Sequence, residues 1–263
     1  MQRHARADGG GESGAPAGGA GARAADAPAR AGVARAAPRT RRRELRVPPK
    51  VLRRVVKPLV WVLCLTPAAL LAYDAYAGGL GVNPIEEVTH RTGRWALILL
   101  LVTLAVTPVR RLTGWNQAVQ LRRTLGLFAF SYAVLHFLTY VVLDQFFAFG
   151  YIVEDIAERP YITVGFAAFL LLIPLAATST TRAIRRLGRN WGRLHRLVYV
   201  AATLALLHFL WLVKAPAIGR PLRYGAVLAL LLGIRVVFAL RRSAPRTARP
   251  PAGDRGRPGA AGG

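Results

Sequence analysis

The chain has 263 residues, 53% of them hydrophobic, and a formal net charge of +25. A single soluble domain does not accommodate that much apolar matter beside that much charge, whereas a membrane protein does if the two are segregated. They are: the apolar residues fall in runs of about twenty, the arginines in loops and tails, which reads as cytoplasmic-face charge against anionic lipid rather than a nucleic-acid surface. The one cysteine, Cys64, lies in an apolar run, so there is no disulfide framework and no CxxC metal knuckle.

Residues 1–48 are Ala, Gly, Arg and Pro with almost nothing to bury, and are expected to be a disordered basic extension. His4 lies there and receives no role. Arg41, Arg42 and Arg43 ahead of an apolar run superficially resemble a twin-arginine export signal. With no small-residue cleavage site and more spans to follow, a retained first helix is expected. Residues 50–242 form the membrane domain, and 243–263 a second disordered tail.

Six spans are expected, over 58–77, 95–109, 124–143, 161–178, 197–214 and 222–240. Pro108 and Pro174 are expected to end or kink their helices. The flank before span 1 (Arg53, Arg54, Lys57), the 2–3 loop (Arg110, Arg111, Arg122, Arg123) and the 4–5 loop (Arg182, Arg185, Arg186, Arg189, Arg193, Arg196) are basic, as is the flank after span 6 (Arg241, Arg242). The 1–2 and 3–4 loops carry the acids: Glu86 and Glu87, then Asp144, Glu154, Asp155 and Glu158. The fold class is therefore an all-α integral membrane protein, a six-transmembrane-helix bundle with both termini cytoplasmic. No internal repeat, nucleotide fingerprint or P-loop is discernible.

Ionisable residues inside spans default to function. His195 and His208 stand thirteen positions apart in 191-WGRLHRLVYVAATLALLHFLWLVK-214, about 20 Å along a helix. His136 lies in 124-TLGLFAFSYAVLHFLTYVVL-143. Three imidazoles in two spans without an acid suggest haem, held non-covalently because no C-x-x-C-H occurs. His136, eight residues before Asp144, and His208, six before Lys214, fall at the same depth, about 9–12 Å below the outer face, and meet the requirement of a bis-histidine site. His195, between Arg193 and Arg196, lies too deep to share their iron. It either meets lipid phosphate or ligates a second haem, for which span 3 offers only Arg122 or Arg123 at that level. The competing reading of a membrane histidine is an interhelical hydrogen bond.

The remaining candidates carry blander expectations. His90 is expected to be interfacial or partner-facing, and Asp74 with Tyr73 a hydrated interface group rather than a proton or quinone site. Trp61, Trp95, Trp115, Trp191 and Trp211 behave as aromatic-belt residues. Phe137, Tyr140, Phe209 and Trp211 flank the histidines and default to core packing. Gly126 and Gly165 allow close approach of a helix or a ring.

The stretches 90-HRTGRWAL-97, 122-RRTLGLFAFSYAVLH-136, 159-RPYITVG-165, 178-TSTTRAI-184, 187-LGRNWGRLHRLVYV-200 and 208-HFLWLVK-214 resemble, in order, the MsrQ (YedZ) family within the ferric-reductase-like transmembrane group. The resemblance covers residues 58–240 and leaves out both tails. It implies b-type haem at His136, His195 and His208, and FMN at a site the residues do not reveal. It further implies a periplasmic molybdopterin subunit (MsrP) as partner, the quinone pool as electron source, and the bacterial inner membrane. Larger ferric reductases and NADPH oxidases add a cytosolic flavin and nicotinamide domain and paired histidines on both helices, which this chain lacks. The function expected is electron transfer from quinone to a methionine sulfoxide reductase, without a substrate site of its own. Its rivals are a stand-alone ferric or cupric reductase and a haem-free transporter or scaffold.

Overall fold

The structure is a computed structural model and describes residues 47–213 and 217–243, the side chains of 242 and 243 excepted. The two tails, His4, the three arginines at 41–43 and Lys214 lie outside the described residues. Among those described there are helices and no strands. Six helices are long and apolar enough to cross a membrane: α1 (Pro49–Tyr76), α2 (Pro84–Thr113), α3 (Asn116–Asp144), α5 (Pro160–Ala177), α7 (Arg189–Leu212) and α8 (Gly219–Ser243, apolar over Gly219–Arg241). Two further helices occupy stretches expected to be loops, α4 (Phe149–Glu158) and α6 (Thr181–Leu187).

Helix α2 is 30 residues long, twice the apolar run that announced it. Its first turns are polar, and cap chemistry rather than hydrophobicity sets the start. Pro84 occupies the first turn and the Asn83 side chain accepts from the Glu86 N–H at 3.3 Å. Glu86 and Glu87 then sit on the positive end of the helix dipole. At the other end Gly114, at φ 74°, closes the helix in the left-handed conformation that glycine adopts without a Cβ clash.

Of the two outcomes expected at Pro108, an end or a kink, the first does not occur: five further residues follow it in the helix. Proline lacks the N–H that would bond the carbonyl four residues back, here that of Leu104. The Arg235 guanidinium of α8 donates to this carbonyl from Nη2 at 2.6 Å, so the orphan acceptor is satisfied from another helix. Pro174 likewise lies inside α5, which runs on to Ala177. Next to a third internal proline, Pro67, the Tyr132 hydroxyl of α3 inserts into α1. It donates to the Cys64 carbonyl at 2.8 Å and accepts from the Ala68 N–H at 3.0 Å, two groups that would otherwise bond each other. Because the helix can close its own bond, Tyr132→Phe is expected to cost about 0.6 kcal/mol and no more than about 2, read as loss of thermal stability in detergent. A much larger loss would mean that the hydroxyl holds α1 in place.

Lipid tails are as apolar as leucine, so helices associate here by close packing and shared polar contacts rather than by escape from water. The most extensive contacts join α2 to α3 and α5 to α7, giving two helix pairs, with α8 against α7 and α2, and α1 against α2 and α3. Small residues permit the approach: Ala129, Ala201 and Ala202 are essentially inaccessible, as is Leu104. Hydroxyls inside the spans are satisfied by their own helices, as with Thr103 on the Leu99 carbonyl and Thr92 on that of Val88. Helix α4 buries Ile152 and leaves Phe149, Tyr151 and Val153 exposed, while its Asp155 accepts from the Tyr140 hydroxyl at 3.0 Å and pairs with Arg159 at 3.2 Å.

Candidate functional site

The two helix pairs meet at His136 and His208. Helix α3 brings the first and α7 the second, with ring centroids 6.1 Å apart and ring planes at 68°. The equal depth read from helical rise is therefore a spatial pairing. Each ring is anchored from behind by the neighbouring helix of its own pair. The Nδ1 of His136 lies 2.9 Å from the Thr89 carbonyl of α2, and that of His208 lies 2.7 Å from the Tyr161 carbonyl of α5. A carbonyl only accepts, so in the neutral ring the proton resides on Nδ1 and the lone pair is left on Nε2. Donation from the second ring nitrogen to a carbonyl is the arrangement that fixes tautomer and orientation in metal-binding histidines.

Both carbonyls are reachable because the residue one helical turn on is glycine. A Cβ at Gly93 would stand 3.0 Å from Cε1 and Nδ1 of His136, and one at Gly165 would stand 2.6 Å from Nδ1 of His208. The two half-sites therefore repeat. Thr89, Gly93 and His136 correspond to Tyr161, Gly165 and His208, each 72 positions on, and carbonyl and imidazole are 47 residues apart in both. No repeat was expected from the sequence, because only the glycine and the histidine are shared letters. The carbonyls act through backbone, to which any residue type contributes equally.

The pair fits a haem. Two imidazoles each bonded to one metal by a nitrogen at about 2 Å place their centroids about 6 Å apart, which matches the separation found. No group of three or more His, Cys, Asp or Glu side chains among the described residues is arranged to hold a bare metal ion. A haem, which brings four nitrogens of its own, would ask the protein for only the two that His136 and His208 could supply.

His195 is not brought to this pair. It lies at the join between Arg189–Leu194 and Leu197–Leu212, stacked on Trp191 at 4.1 Å with its Nδ1 3.2 Å from the Trp191 carbonyl. His90 faces Glu86 at 3.8 Å on the surface of α2. Asp74 is not merely hydrated: Arg91 grips it together with Glu87, the latter at 2.6 Å, and so ties α1 to α2. Of the flanking aromatics, Phe137 stacks on Phe169 at 4.8 Å, Phe209 meets Tyr224 at 6.0 Å and Trp211 is half exposed, in line with packing. Gly126 makes only ordinary contact with Thr103.

Arg235 was absent from the sequence-derived candidates, although a lone arginine in the apolar run 224–240 is itself a signal. It donates to the Tyr199 hydroxyl and the Leu104 carbonyl and lies over the Tyr199 ring at 4.9 Å. It thus joins α8, α7 and α2 at the arginine-rich end of the bundle.

Comparison with known proteins identifies the family. The chain matches the family model described as "Ferric reductase like transmembrane component" over residues 92–206, a region that includes His136 and His195 and stops just short of His208. It is 51% identical over 208 residues to the protein-methionine-sulfoxide reductase heme-binding subunit MsrQ of Xanthomonas euvesicatoria pv. vesicatoria, covering 76% of this chain and 95% of that one. It is 49% identical over 200 residues to the protein of the same name from Azospira oryzae, covering 75% of this chain and 86% of that one. No solved structure matches. With six membrane-crossing helices and bacterial relatives aligned over nearly their full length, the chain belongs to the MsrQ family of ferric-reductase-like, multi-pass inner-membrane proteins.

Proposed function

We propose that this protein is a haem b electron-transfer subunit, passing electrons from the quinone pool to a periplasmic molybdopterin-containing methionine sulfoxide reductase of the MsrP kind. The observation that carries the reading is the pairing of the His136 and His208 rings at 6.1 Å, each with Nδ1 committed to a carbonyl so that the lone pair is left on Nε2. The haem, when bound, supplies a one-electron redox centre that the polypeptide does not.

The chain's own residues do the holding. His136 and His208 would hold the haem iron, each through the lone pair left on Nε2, a ligation that suits electron transfer rather than oxygen binding. Thr89 and Tyr161 fix the two tautomers, and Gly93 and Gly165 let the rings seat against α2 and α5. Phe137, which follows His136, packs against Phe166 and Phe169 of α5. With both termini cytoplasmic, the pair lies within about 12 Å of the periplasmic end at helical rise, and among the described residues the outer segments place no nucleophile or base in a substrate pocket. His195, at the cytoplasmic side, is assigned to electron entry or to a second cofactor rather than to this iron.

The test is reoxidation of the reduced purified protein. Rapid reoxidation is expected when the molybdopterin subunit and methionine sulfoxide are both present, and slow reoxidation with either alone. Fast reoxidation by ferric chelates without a partner would replace this reading with the metal-reductase one.

A further inference from the structure

Between the N-terminal parts of α2 and α8 lies a cavity of about 380 Å³ lined by Arg94, Arg220, Arg223, Tyr224 and Val227. Its charge is one-sided. Three guanidiniums line it with no carboxylate, and among the described residues none of the three is in an ion pair, Arg223 donating only to the Gly219 carbonyl at 3.3 Å. Arg220 and Arg223 also occupy the first turns of α8, the positive end of its dipole, where cations are disfavoured and anions favoured. A helix start would ordinarily place Asp or Glu there, as α2 does with Glu86 and Glu87.

The cavity is linked to the histidines on two sides. Arg94 directly follows Gly93, the residue against which His136 packs. Tyr224 contacts the Phe209 ring, and Phe209 directly follows His208. Arg94 is thus the chain neighbour of the glycine that seats one imidazole, and Tyr224 meets the chain neighbour of the other, while Arg220 and Arg223 supply further donors from α8.

We propose that this cavity is an oxyanion site that receives the propionate carboxylates of the haem, with Arg94, Arg220 and Arg223 as positioning residues. The inference rests on the haem reading above and adds to it which edge of the group faces which part of the bundle. Guanidinium is suited to the task because its fork of donors matches a carboxylate and stays charged at any physiological pH. Two carboxylates brought in with the macrocycle would also relieve the mutual repulsion of three cations. The same chemistry fits a phospholipid phosphate, and the experiment separates the two sources.

The full-length protein, stripped of haem in detergent, is reconstituted with haem b or with its dimethyl ester, in which both propionates are neutral. Loss of each form to an excess of haem scavenger is then timed for wild type and for an Arg94→Gln/Arg220→Gln/Arg223→Gln variant. Wild type is expected to release the ester about tenfold faster than native haem or more, the equivalent of one charged hydrogen bond. The variant is expected to release both forms at the same rate while retaining a low-spin spectrum, since its axial histidines are untouched. Equal release of the two forms by low-spin wild type would overturn the proposal without needing the variant to fold. If phospholipid also co-purifies with wild type and is lost from the variant, the cavity belongs to lipid phosphate instead. Wild type that takes up neither form defeats the haem reading itself, and this inference with it.

Discussion

His136→Ala and His208→Ala are each expected to lose most bound haem, measured as haem-to-protein ratio and absorption spectrum after purification. Each would remove one of the two nitrogens proposed to hold the iron, and also strips a carbonyl, that of Thr89 or Tyr161, of its imidazole partner. The second effect alone is worth about 1 kcal/mol, so loss of the metal bond dominates. His195→Ala is expected to keep the low-spin spectrum of this haem, because His195 stacks on Trp191 away from the pair. A full low-spin spectrum in either of the first two variants, or equal loss in all three, would break the assignment of both axial positions.

Gly165→Ala is expected to be nearly as damaging although it removes nothing. Its new Cβ would stand 2.6 Å from Nδ1 of His208, closer than such atoms approach in folded proteins, and the imidazole must move off the Tyr161 carbonyl to make room. Disturbing the group that orients a metal-binding histidine typically lowers affinity about 10–100-fold, and that is the loss expected in haem affinity. At Gly93 the corresponding gap is 3.0 Å, which a shift of a few tenths of an ångström relieves, so Gly93→Ala should fall well short of Gly165→Ala. The reverse order, or two harmless variants, would show that the glycines serve helix packing alone.

The sequence made six spans and the matched depth of His136 and His208 legible because both follow from fixed quantities, bilayer thickness and helical rise. It did not reveal how far α2 extends, since a cap of Asn83, Pro84 and two glutamates begins a helix without any apolar signal. Gly165 stood out in an apolar run, whereas Gly93, its counterpart, is hidden in the polar stretch 90-HRTGRW-95. The carbonyls of Thr89 and Tyr161 were invisible because a backbone acceptor is the same at every residue. Pro108 was read locally, as an end or a kink, and that reading could not show the carbonyl claimed by Arg235, 131 positions from Leu104. Such compensation depends on tertiary contact and leaves no local pattern.

The most direct test of the central claim is the low-temperature electron paramagnetic resonance spectrum of the oxidised, purified protein. Ligation of one ferric haem by His136 and His208 with their ring planes at 68° predicts a strongly anisotropic low-spin signal, the mark of axial imidazoles far from parallel. A dominant high-spin ferric signal, or none attributable to haem in stoichiometric amount, would contradict it.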